Sequence, residues 1–231
     1  MFADDSNVFT SGPNLKDIET IMNNEIPLLI DWLRANRLSL NVDKTHVMIF
    51  GPPKKTKPPD TNIYIEGKIL EVVKSTKFLG LILDSGLTWK NHIHLLSTKI
   101  AKSIGIISLA RQTLTKKSLI QLYYSFIFPY LSYCTVVWGK NFESTLWPIF
   151  RLQKISLRII GSIPRRGTTS TLCKNNKILK LPDIYTLSVS IFMFNYKNSL
   201  LPESFNNLFQ ENNQVHPYQT RNRNNLRPPP N

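Results

Sequence analysis

The chain has 231 residues, 42% of them apolar and 10% aromatic, enough to bury a core, which excludes wholesale disorder. Lysine and arginine total 29 against 15 acids, a formal charge of +14, and that surplus suits a polyanionic partner. Two cysteines, Cys134 and Cys173, exclude a disulfide-rich scaffold and a four-cysteine zinc site.

The opening Met1-Phe2-Ala3-Asp4-Asp5 has no signal-peptide layout. It reads as a short strand and a tight turn at the double acid, with Val8-Phe9 as the returning strand. Ser11 to Asn14 break that strand, and apolar spacing then predicts a helix over 15–36, kinked or split near Glu25 by Pro27. His46 to Phe50 read as β. Gly51 to Thr61 form a Pro/Lys-rich exposed connection. Ile63 to Ile65 and Ile69 to Val73 flank Glu66-Gly67-Lys68, a hairpin signature, and Phe78 to Leu83 read as a further strand ended by Asp84-Ser85-Gly86.

From Trp89 the periodicity becomes helical. Ile93, Leu96, Ile100, Ile104 and Ile107 recur at three- and four-residue steps up to Arg111. Thr115 is the expected N-cap of a helix running towards Tyr130 and bent by Pro129. Leu146 to Ile160 and Ile184 to Tyr196 predict two more helices. The tail from Asn206 is Asn/Gln/Arg/Pro-rich and is expected to be disordered. No stretch reaches about 18 uninterrupted apolar residues, so we expect no membrane partner; two cysteines and no signal-peptide layout lead us to expect an intracellular chain, with nucleus and cytoplasm both open.

Charge is distributed unevenly. Residues 1–84 carry 10 basic and 11 acidic side chains, whereas residues 85–200 carry 16 basic side chains and two acids, Glu143 and Asp183. A surface tuned only for solubility would mix the signs, so the middle segment reads as a phosphate-tracking face. On it, Lys99 and Lys102 follow one helix, Arg151, Lys154 and Arg158 share a face of another, and Arg165-Arg166-Gly167 makes a basic loop.

Paired aspartates on a turn are a place where Mg²⁺ can bind, since hard cations take carboxylate oxygens. Phe2-Ala3-Asp4-Asp5, then a strand, then a helix, then Asn41-x-x-Lys44-Thr45 and a strand, resembles the palm of reverse transcriptases, closest to non-LTR, LINE-like, jockey-type retrotransposon polymerases. Lys77-Phe78-Leu79-Gly80 resembles the segment that holds the primer end. Cys134-Thr135-Val136-Val137-Trp138-Gly139, Leu152-Gln153-Lys154-Ile155 and His216 to Arg221 are similar to the thumb and the segments after it.

The resemblance implies an α+β fold. A partial palm of β-hairpins plus a helix would occupy 1–88, with a helical thumb-like region over 89–205 and a basic tail over 206–231. It implies that Asp4 and Asp5 hold metal and that Lys44 serves the incoming dNTP by protonating departing pyrophosphate. Lys77 and Gly80 would place the primer, with RNA template and DNA primer as partners and dNTP as the small molecule. For Phe78 and Leu79 a place in the strand core is the plainer reading, and for Gly80 a bulge. A two-metal site needs a second carboxylate from an upstream strand, and this segment begins after it. We therefore expect the isolated chain to lack polymerase activity and to have an exposed sheet edge near its start. The alternative is a non-catalytic nucleic-acid-binding remnant in which the acidic turn is idle.

Overall fold

Asn14 starts the first helix because its Oδ1 accepts the Asp17 N–H at 2.9 Å, satisfying one of the unpaired donors of the first turn. The helix, α1, runs Leu15–Ala35 and passes through Pro27 as one element rather than splitting. The computed structural model describes residues 6–51, 61–215, 221–222 and 225–227. The expected acidic turn at Asp4-Asp5, most of the Pro/Lys-rich connection and most of the His216 to Arg221 motif lie outside them. Val8-Phe9, expected as a strand, is not one. Both side chains are exposed, and the partner proposed for them, Phe2-Ala3, is outside the described residues.

The chain divides into two compact units, Met1–His92 and Ile93–Asn231. In the first, α1 is followed by a 3-10 turn, Val42–Lys44, and by β1, His46–Val47. β2, Tyr64–Ile65, pairs antiparallel with β3, Lys68–Ile69, through the Glu66-Gly67 turn, in which both residues have positive φ. β4, Glu71–Val72, leaves this hairpin and pairs in parallel with β1 in the register His46↔Glu71 and Val47↔Val72. β5, Ser75–Phe78, and β6, Leu81–Asp84, form a second hairpin.

That hairpin corrects the single strand expected over Phe78 to Leu83. Leu79 and Gly80 both have positive φ, 44° and 83°, and make its two-residue turn. Glycine reaches that conformation without the Cβ clash that penalises other residues. Leu79 is exposed there and is not part of a strand core.

The core of this unit is small. Ile26, Ile63, Ile65 and Leu70 are buried, with Met22, Ile30, Leu40, Val42 and Val47 packed against them. Polar ties from α1 supplement it along the outer edge of β2. Asn23 Nδ2 donates to the Asn62 carbonyl at 2.7 Å, Asn23 Oδ1 accepts the Tyr64 N–H at 3.1 Å, and Glu19 accepts the Asn62 N–H at 2.9 Å. The α1 side chains thereby satisfy a strand edge that would otherwise present bare backbone groups. Arg34 adds a 2.8 Å ion pair to Glu66 at the hairpin turn.

Asp84 closes the unit. Its Oδ1 accepts the Thr88 N–H at 2.9 Å and its Oδ2 the Trp89 N–H at 2.9 Å, turning the chain from β6 into α2, Lys90–Ala110. By length and composition α2 is apolar enough to cross a membrane, although Lys99 and Lys102 interrupt its apolar run. Its stripe Ile93, Leu96, Ile100, Ile104 and Ile107, predicted from spacing, is buried in the protein.

In the second unit α3, Lys116–Phe126, begins at the expected cap, Thr115 Oγ1 accepting the Ser118 N–H at 3.3 Å. Pro129 sits in the first turn of α4, Phe128–Ser132, so the predicted bend is a break. α5, Thr135–Trp138, is a single turn preceded by Cys134 in the left-handed region at φ 50°. α6, Glu143–Gly161, and α8, Leu181–Lys197, each begin three residues before the expected start. α7, Ser170–Asn175, was not legible from periodicity. The core is Tyr123, Ile127, Leu131, Trp138, Ile149 and Leu157, each at most 1% exposed.

Gly139 ends α5 where there is no room for a side chain. A Cβ there would lie 2.5 Å from the Thr135 carbonyl oxygen of its own turn and 2.6 Å from the ring of Tyr185 on α8. Among the described residues of the tail, β7, Gln210–Glu211, pairs with β8, Leu226–Arg227. The Tyr196 hydroxyl accepts the Phe209 N–H at 3.2 Å, which ties that segment to α8.

Candidate nucleic-acid interface and the Lys44 turn

The Asn41-x-x-Lys44-Thr45 segment folds as a self-capped 3-10 turn. Asn41 Oδ1 accepts the Lys44 N–H at 3.2 Å, and Thr45 Oγ1 donates to the Asn41 carbonyl at 2.9 Å. Both residues of the motif other than the lysine therefore hold the turn itself, as short polar side chains do where they compete with regular structure. Asp43 pairs with Lys68 of β3. The hydrogen bond from that ammonium, and then its charge, hold the Asp43 carboxyl below its usual pKa. Lys44 is exposed, and among the described residues its ammonium has no acceptor. The turn thus fixes the backbone of a lysine whose charge faces solvent.

The Lys77 segment is the β5 arm of the second hairpin. Lys77 is exposed and pairs in register with Ile82, two residues from the Gly80 turn. Asp4 and Asp5 lie outside the described residues. Among the described residues no group of three or more His, Cys, Asp or Glu is arranged to hold a metal ion. Three described acids of the first unit are engaged elsewhere: Asp17 with Asn14, Asp43 with Lys68, and Asp84 with backbone amides.

The basic residues of the second unit do not share one role. Lys99, Lys102, Arg151, Arg165 and Arg166 are exposed. The Lys99 ammonium stands 5.4 Å from the centre of the Tyr130 ring. Lys154 lies over two rings of its own helix, 4.0 Å from the centre of Phe150 and 5.4 Å from that of Trp147, a cation–π arrangement that orders its stem. Arg158, expected on the same phosphate-facing stripe, points its Nε at the Gly167 carbonyl at 3.1 Å and is partly buried. It acts as a strut beneath the Arg165-Arg166 loop, and the two loop arginines project from it.

Sequence reasoning missed Gln153, which is 1% exposed. Its Nε2 donates to the Tyr123 hydroxyl at 2.9 Å and to the Leu179 carbonyl at 3.0 Å, and its Oε1 accepts the Leu181 N–H at 2.9 Å. The three bonds connect α6 to α3, to the loop before α8 and to the first residue of α8. The signal available was a glutamine on the apolar face of the α6 periodicity. Burial pushes the Tyr123 hydroxyl well above the usual tyrosine pKa. Burial also pushes the Cys173 thiol above its usual pKa.

Over most of its length the chain is similar to RNA-directed DNA polymerases of mobile elements. In particular, it is 26% identical over 157 residues, 66% of the chain, to a probable RNA-directed DNA polymerase from transposon X-element of Drosophila melanogaster. It is 26% identical over 186 residues, 79% of the chain, to the RNA-directed DNA polymerase from mobile element jockey of Drosophila funebris, and 25% identical over the same length to that of Drosophila melanogaster. The matched segment spans 17% of the X-element protein and 20% of each jockey protein. No protein-family model and no solved structure matches the chain.

Proposed function

We propose that this chain is a segment of a jockey-type reverse transcriptase. Its first unit would carry part of the palm and its second a thumb that follows the primer–template. The observation that carries this reading is the order Phe2-Ala3-Asp4-Asp5, Asn41-x-x-Lys44-Thr45, Lys77-Phe78-Leu79-Gly80, with the second motif folded as a turn that presents Lys44 to solvent.

In this reading Asp4 and Asp5 hold Mg²⁺ together with a carboxylate from elsewhere in the polymerase. When bound, the ion supplies charge neutralisation for nucleotidyl transfer. Lys44 donates a proton to departing pyrophosphate. Lys77 and the Gly80 turn lie along the primer end. Lys99, Lys102, Arg151, Lys154, Arg165 and Arg166 meet backbone phosphates of the RNA template and DNA primer without regard to sequence, while Arg158 holds the loop that carries two of them.

The experiment is primer extension on an RNA template by the polymerase that contains this segment. Asp4→Asn should abolish Mg²⁺-dependent extension, and extension at the parent rate would refute the role of Asp4. A second reading, nucleic-acid binding without catalysis, is favoured by the concentration of 16 basic side chains against two acids in 85–200. It predicts duplex binding that Asp4→Asn leaves intact in a protein with no extension activity at all.

A further inference from the structure

His46, the first residue of β1, bridges the two motifs of the first unit. Its Nδ1 is 3.1 Å from the carbonyl oxygen of Lys44, and its Nε2 is 2.6 Å from Oγ1 of Thr76, next to Lys77 on β5. A carbonyl only accepts, so Nδ1 must carry the hydrogen. In the neutral ring Nε2 then accepts from the Thr76 hydroxyl, and in the protonated ring it donates to the same oxygen. The hydroxyl can therefore pair with the ring as donor or as acceptor.

On its N-terminal side Lys44 is fixed by the Asn41 cap. Its own carbonyl is taken up by His46, and beyond His46 the chain is registered on β4. The Lys44 backbone is thus held from both directions, with one of the holds anchored in the neighbouring hairpin. We propose that His46 is a positioning residue: through the Lys44 carbonyl and the Thr76 hydroxyl it sets the lysine in register with the Lys77 hairpin. This inference rests on the role assigned to Lys44 above for its kinetic consequence, but not for the bridge itself.

Two measurements test it. In the 231-residue chain, ¹⁵N-resolved NMR of the imidazole should show neutral His46 with the hydrogen on Nδ1, and the Nε2–H tautomer would overturn the proposal whatever the protein does. In the polymerase that contains this segment, His46→Ala should lower kcat about five- to tenfold, the loss of one or two side-chain hydrogen bonds, with KM for primer–template unchanged. His46→Asn, which keeps an N–H near the Lys44 carbonyl, should recover most of the rate. In a Lys44→Ala background, His46→Ala should add nothing, and an undiminished further loss there would overturn the proposal. If Lys44→Ala itself leaves the rate intact, the role of Lys44 falls, and the imidazole tautomer alone decides the bridge.

Discussion

Replacing Gln153 by leucine keeps the side-chain volume nearly constant and removes all three hydrogen bonds. The Tyr123 hydroxyl, the Leu179 carbonyl and the Leu181 N–H then each lose a partner at a site where Gln153 is 1%, Tyr123 0% and Leu181 3% exposed. A buried polar group left unpaired costs about 1–3 kcal/mol. Partial relaxation around three such groups brings the expected loss for Gln153→Leu to about 3–5 kcal/mol, a large share of a typical domain's 5–15 kcal/mol. Gln153→Ala should lose about 1–2 kcal/mol more, because the missing volume leaves a cavity. Tyr123→Phe removes only one of the bonds and leaves Nε2 its Leu179 acceptor, so about 1 kcal/mol is expected. Urea unfolding of the full chain, with equal m-values across the set, measures all three. A Gln153→Leu protein within about 0.5 kcal/mol of the parent would refute the claim that this amide holds α6 to α3 and to the start of α8.

If Lys99, Lys102, Arg151, Lys154, Arg165 and Arg166 each meet one phosphate, the affinity of the full chain for an RNA–DNA duplex should fall with salt at a log–log slope of about −5.4, and a slope shallower than about −1 would remove the phosphate-tracking face. Gly139→Ala forces a methyl group to within 2.5 Å of the Thr135 carbonyl oxygen and 2.6 Å of the Tyr185 ring and should destabilise the protein by about 1–3 kcal/mol, read as a lowered urea midpoint; an unchanged midpoint would show that both the α5 turn and the Tyr185 ring yield at no cost.

Much of the architecture was legible because it depends on local chemistry. The three- and four-residue steps of Ile93 to Ile107 predicted α2, Thr115 marked the start of α3, and Glu66-Gly67 marked a hairpin turn, since periodicity, capping and positive φ are properties of neighbouring residues. The Asn-x-x-Lys-Thr motif was visible for the same reason, as its Asn and Thr bond within five residues.

Other features depended on what comes together from far along the chain. Val8-Phe9 has the composition of a strand, yet its backbone is not one and both side chains are exposed. Residues 78–83 looked like one strand until Leu79 and Gly80 turned it back on itself. Arg158 shares helical spacing with Arg151 and Lys154, yet the Gly167 carbonyl nine residues later decides its role. His46 and Thr76, thirty positions apart, meet only because β4 crosses to pair with β1 and brings β5 alongside. The sequence by itself determined the long helices, the Thr115 cap and the Glu66-Gly67 turn, which neighbouring residues set, and the concentration of positive charge over 85–200, which composition sets. Tertiary structure alone decided which polar side chains serve as struts and which cations remain exposed, because a hydrogen bond depends on three-dimensional proximity that linear spacing does not encode.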